Sequence, residues 1–170
     1  MISRRKRTTM NGIMVHMADT KWTTAAVRAA CAFAQGHAEL GKWVALVRML
    51  PSDMLHWTGD EAKDHHFTES EQEDLAHYRA IAEEYGIRMT VHVFEYNEHR
   101  FDEGVVNIAD TLDIQDVLVE IEPSILPFLH SRHIRHLGHL LETHHHHLLT
   151  MDHQPAVDVD WKPEVEEYEE

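Results

Sequence analysis

The sequence predicts an α/β domain in which a parallel β-sheet is covered on both faces by helices, a three-layer αβα arrangement. Three observations predict it. Short apolar runs recur at residues 12–17, 43–50, 87–96, 116–121 and 146–151. Segments with helical apolar spacing lie between them. The resulting order, βαβαβαβαβ, joins each strand to the next through a helix, and such connections run parallel strands with helices on the sheet faces.

Each element has its own local reason. Gly12 to Met17 is apolar and flanked by Asn11 and Asp19-Thr20, as a buried strand is. Thr23 to His37 is Ala-rich, with Ala26, Val27, Ala30, Phe33 and Ala34 at helical spacing and Gly41 as its stop. Trp43 to Leu50 is a second buried strand, ended by Pro51. Residues 51–69 form a polar loop long enough to be a lid or an insertion. Ser70 with Glu73 reads as a capping box, after which Leu75, Tyr78, Ala82 and Tyr85 form a helix face closed by Gly86. Ile87 to Tyr96 alternates with period two. Phe101, Val105, Ile108 and Leu112 give a third helix, and Asp116 to Ile121 a fourth strand. Leu126 to Leu141 contains the fourth helix, and His146 to Met151 the fifth strand.

Composition narrows the function classes. Of 170 residues, 43% are apolar and 26% charged, enough for a folded core. The formal net charge is −15, which argues against a nucleic-acid or anionic-membrane binder. A single cysteine, Cys31, excludes an intramolecular disulfide and a cysteine-based zinc cluster, and in the Ala-rich helix it reads as a small buried hydrophobe. No apolar run reaches the roughly 18–20 residues of a membrane span, and no apolar segment follows the basic Arg4 to Arg7 as in a secretory signal. The expectation is a cytoplasmic protein without stable membrane insertion.

Charge is unevenly placed. Residues 1–10 read as a basic arm, 11–153 as the α/β domain, and 154–170 as an acidic tail. From Asp152 to Glu170 there are eight acids against Lys162, and Pro155 and Pro163 oppose a helix there. The tail reads first as a solvated, mobile segment, and alternatively as one that docks on a basic face or arm of a neighbouring subunit, an alternative that Trp161 and Tyr168 keep open. Seventeen histidines are present, and protonating all of them would turn −15 into +2, so the composition is acid-sensitive.

Three stretches together resemble the universal stress protein superfamily over residues 11–152. The first strand ends in Met17-Ala18-Asp19-Thr20, followed by Thr23 and Ala26. The second ends in Arg48-Met49-Leu50-Pro51. Asn107-Ile108-Ala109-Asp110 leads to Asp116-Val117-Leu118-Val119. The resemblance implies a five-stranded parallel sheet of order 3-2-1-4-5 and a homodimer, often formed through the last strand. ATP-binding members carry Gly-x-x-Gly and a later Gly-Ser after the fourth strand, where small residues let backbone N–H groups approach phosphates. Here that place holds Glu120-Ile121-Glu122-Pro123-Ser124-Ile125-Leu126-Pro127, with no glycine before Gly138. Carboxylates there repel phosphate. The resemblance therefore implies a regulatory or ligand-sensing domain that is not an enzyme, needs no cofactor and does not bind ATP.

Sheets of this kind bind ligands at the carboxyl ends of the strands. The candidate ligand-binding residues are His16, Asp19, Thr20, Glu120, Glu122 and Arg132. A small ligand would bind around His16, Asp19 and Glu120, the 51–69 loop would close over it, and the dimer would report occupancy to a partner protein or transporter. No Gly-x-Gly occurs, so dinucleotide and P-loop fingerprints are absent. His130, His133, His136 and His139 recur every three residues and cannot share one helix face. With Ile134, Leu137 and Leu141 inward, Arg132, Arg135, His136 and His139 face outward, as a tolerant surface, as a basic face that receives an acid such as the tail, a phosphate or a partner, or, through an i, i+3 histidine pair with His144 to His147, as part of a metal site. Asp60, Glu61, Asp64, His65 and His66 are a solvated loop or hard-cation ligands. The rival readings are a nucleotide-binding stress protein, a regulatory domain acting with a membrane transporter, and a histidine-based metal-binding or acid-sensing protein.

Overall fold

The computed structural model describes residues 11–53, 60–62, 66–121 and 127–151. The elements run β1 (Gly12–His16), α1 (Thr20–Gly36), β2 (Trp43–Ser52), β3 (Asp60–Glu61), α2 (Glu69–Tyr85), β4 (Met89–Asn97), α3 (Phe101–Leu112), β5 (Asp116–Leu118), α4 (Pro127–Thr143) and β6 (His147–Leu149), with a 3-10 turn at Ala38–Leu40. The sheet order is β3-β4-β2-β1-β5-β6. Its five long-range parallel neighbours, β4-β2-β1-β5-β6, are the predicted 3-2-1-4-5 arrangement. The two-residue β3 is added antiparallel on the outer side of β4.

Alternation along the strands separates two cores. Ile13, Val15, Val44 and Leu46 pack with Ala26, Val27, Cys31, Tyr78 and Ile81 of α1 and α2. Met14, Ala45, Val47 and Phe94 pack with Val105, Ile108, Leu137 and Leu141 of α3 and α4. Gly12 is required by close approach, since a Cβ there would lie 2.8 Å from the Trp43 ring. At the amino end of the sheet, Lys42 and Asp116 form a buried ion pair with Nζ 3.3 Å from Oδ2.

Four local expectations are corrected. β2 does not end at Pro51, which pairs with Tyr96 of β4. Odd residues of β2 turn their backbone groups toward β1, as Met17 N–H donating to the Val47 carbonyl shows, and β1 has already stopped there. The missing Pro51 N–H therefore deprives no neighbouring strand. The α2 capping box is Thr68 with Glu71, one step earlier than Ser70 with Glu73. Helix α1 ends at Gly36, and Gly41 instead terminates the 3-10 turn with φ 62°. The loop at 51–69 contributes β3 to the sheet.

Helix α4 and the turn that follows it lie beside α3 and are tied to it by carboxylate–imidazole contacts. Asp102, in the first turn of α3, meets His133 Nε2 at 2.7 Å and His136 Nδ1 at 2.8 Å. Asp110, in the last turn, meets His144 Nδ1 at 3.0 Å and His146 Nε2 at 2.6 Å. The buried His146 also turns Nδ1 to the Ile114 carbonyl, so both ring nitrogens face acceptors.

Candidate functional site

The carboxyl ends of β1 and β5 bring together most of the residues expected there. Asp19 follows β1 and caps α1, its carboxylate accepting from the Trp22 N–H at 3.0 Å. An aspartate suits this place because the first N–H groups of a helix lack intrahelical partners. That bond, followed by a side-chain hydrogen bond with Glu120 just beyond β5, holds the Asp19 carboxyl below the usual carboxylate range. The two carboxyl groups thus lie within hydrogen-bonding reach of each other at the strand ends. Thr20 opens α1 and its Oγ1 donates to Asp74 Oδ2 of α2 at 3.2 Å. Buried Thr23 accepts from the Ala18 N–H at 2.9 Å and fixes the turn between β1 and α1.

His16 is the last residue of β1 and lies between aromatic rings. Its ring centroid is 6.3 Å from that of Trp22 and 6.0 Å from that of Phe101. Burial first, and then the nearby Arg48 guanidinium, push its pKa down to about 4. The ring is therefore neutral at pH 7. Its Nδ1 is buried without a hydrogen-bond partner among the described residues. An unsatisfied buried nitrogen costs free energy until something bonds to it. Arg48 itself is held near Glu71 of α2, with Nε 3.4 Å from Oε2.

Beside this group lies a cavity of about 130 Å³ lined by Trp22, Val119, Ile121, His130, Ile134 and Met151 among others. Trp22 belongs to both places, meeting His16 and lining the cavity. The volume is well below the roughly 300–1,000 Å³ of sites for drug-sized ligands.

The structure thus gathers His16, Asp19, Thr20 and Glu120 at one end of the sheet. Glu122 lies outside the described residues. Arg132 is exposed on α4 and is not brought to them: it is two residues from the cavity-lining His130, about 200° round the helix. Arg48 and Glu71 were missed by sequence reasoning. The available signal was a lone arginine in the otherwise apolar run Trp43 to Leu50.

Among the described residues, no three His, Cys, Asp or Glu side chains converge as a metal site. The α4 histidines 133 and 136 are bonded to Asp102 instead. No described helix is long and apolar enough to cross a membrane.

No protein-family model matches the chain, and no curated protein sequence matches it. Solved structures do. A protein of the universal stress protein family from Burkholderia pseudomallei superposes with a TM-score of 0.50 at 13% identity, covering 83% of this chain and 95% of that one. A universal stress protein from Archaeoglobus fulgidus gives a TM-score of 0.44 at 17% identity, covering 65% of this chain and 75% of that one. At this identity the likeness is one of architecture. The chain has the universal stress protein fold, a three-layer αβα domain around a five-stranded parallel sheet.

Proposed function

We propose that this domain is a non-catalytic ligand sensor whose site at the carboxyl ends of β1 and β5 takes a small, hydrogen-bond-donating or cationic molecule and not a nucleotide triphosphate. The observation that carries the reading is the Asp19–Glu120 carboxyl pair. Beside it stands the unpartnered Nδ1 of a neutral His16. Two carboxyl groups repel phosphate oxygens and attract ammonium, guanidinium or hydroxyl groups. A neutral imidazole nitrogen supplies one further bond whose polarity follows the tautomer. The small neighbouring cavity supports a compact ligand. Sensing is then a matter of differential affinity: a ligand that orders the strand ends shifts the domain toward its bound form. We further propose that a homodimer passes this state to a partner protein.

The test is isothermal titration of the full chain with MgATP and, separately, with small amines and guanidines such as agmatine. The expected result is saturable binding of a small cation that Asp19→Asn and Glu120→Gln each weaken at least about 10-fold, roughly the loss of one charge-assisted contact. Saturable MgATP binding, above all binding that either substitution alters, would overturn the reading. So would the absence of heat with every small cation.

A further inference from the structure

Helix α4 spends three of its sides on the rest of the molecule. Leu137 and Leu141 are buried in the core. His130 and Ile134 line the cavity. His133 and His136 bond to Asp102. Among its solvent-facing residues, Phe128, Arg132, Arg135 and His139 are spaced i, i+4, i+7, i+11 and so stack along one stripe. Phe128 is 64% exposed, the most exposed large apolar side chain among the described residues. Arg132 and Arg135 make no ion pair among the described residues, whereas Arg28, Arg48 and Arg100 each meet a glutamate. An aromatic ring leading two unpaired guanidiniums is conspicuous on a chain of net charge −15.

We propose that this stripe is the docking surface for the chain's own acidic segment, residues 152–170. Three observations select that occupant. The first is where the chain leaves the described domain. Met151 lines the same cavity as His130 and Ile134, so the segment departs beside the first turns of α4. The second is reach. Nineteen residues extend to about 60 Å, and the stripe from Phe128 to His139 rises only about 17 Å, so the segment can pass around α4 and along it. The third is chemistry. The segment carries eight acids against Lys162, with Trp161 and Tyr168 among them. Carboxylates suit the guanidiniums, and an aromatic ring can pack on Phe128 or stack on Arg132. Glu142, exposed at the far end of α4, sets a limit by repelling acids beyond His139. This inference stands apart from the ligand reading above, since it uses the opposite side of α4.

A nitroxide on Glu170→Cys in the full chain tests it. The native Cys31 is buried, and burial pushes its thiol up to about 11, so the label goes to the new cysteine. In isotope-enriched protein at low salt, the amides of residues 128–139 should broaden. The broadening should vanish in Arg132→Glu/Arg135→Glu, and also near 1 M salt, where the screening length falls to about 3 Å. Both arginines are exposed, so unchanged chemical shifts in the core will show that the variant is folded. Broadening confined to residues 4–7, no broadening at low salt, or persistence in the double variant would each overturn the proposal. Broadening seen only when labelled and enriched chains are mixed would place the segment on a second copy and overturn the intrachain contact.

Discussion

At the scale of single residues, His16 combines burial with an unbonded ring nitrogen. Its pKa of about 4, against an ordinary 6.5, has a definite consequence for stability. Between those values the unfolded chain takes up a proton that the folded chain refuses. The contribution is therefore complete above pH 6.5 and is lost as pH falls toward 4, an effect on the order of 3 kcal/mol. Burial also lowers the pKa of His92, which acts in the same direction. Denaturant titrations across this range should show a steep fall for the wild type and a clearly shallower one for His16→Gln. Equal slopes would remove His16 as the source. Lys42 and Asp116 pose a different single-residue question, because both are buried and each needs the other. Lys42→Ala should cost about 3 kcal/mol or more by leaving a carboxylate unpaired, while Lys42→Met with Asp116→Leu should recover much of that loss in chemical denaturation. The sequence marked His16, Asp19 and Glu120 as candidates. It could not show that the Asp19 and Glu120 carboxyls bond each other, because only the β1–β5 neighbourhood brings the two strand ends together.

At the scale of elements, two carboxylates of α3 with unequal burial around them add polar links, one to α4 and one to the turn after it. Asp110 serves the buried His146, whereas Asp102 serves side chains that are 40% and 68% exposed. Asp110→Ala should therefore destabilise by about 2 kcal/mol, the cost of an orphaned buried polar group, and Asp102→Ala by less than about 1 kcal/mol. Thermal denaturation of the two variants measures the contrast, and equal losses would mean that burial does not govern these links. The histidine spacing on α4 was legible, as was the division into inward Leu137 and Leu141 and outward Arg132 and Arg135. Their partners were not, since Asp102 belongs to another helix. The capping box shows a subtler limit. Thr68 with Glu71 and Ser70 with Glu73 both fit the pattern. The structure selects the first, with Phe67 just before it packed against the core. Local chemistry offered two starts, and tertiary packing chose between them.

For the whole molecule, a formal charge of −15 means that the folded chain works against its own repulsion. Salt should relieve this, so the melting temperature should rise between about 10 mM and about 0.5 M sodium chloride at pH 7.5. A flat or falling melting temperature would show that specific ion pairs outweigh the net charge. The order of strands and helices was readable from the sequence because burial of one helix face imposes a period, and burial of both faces of a strand a continuous apolar run, within each short segment. Gly86 ending α2 and Phe101–Leu112 forming α3 were determined in the same local way. The two-residue β3 was not, because two residues show no period, and it exists only where β4 offers a free edge. Nor was the continuation of β2 through Pro51, which depends on β1 stopping first. The sequence by itself determined the alternating elements, the residues that face the core and the absence of phosphate-binding glycines. The tertiary structure alone decided that Arg48 meets Glu71, that Asp19 meets Glu120, and that the α4 histidines bond to α3. Those pairings join residues far apart in the chain, and the physical agent that selects them is the parallel sheet order, which carries no local signature in the segments it brings together.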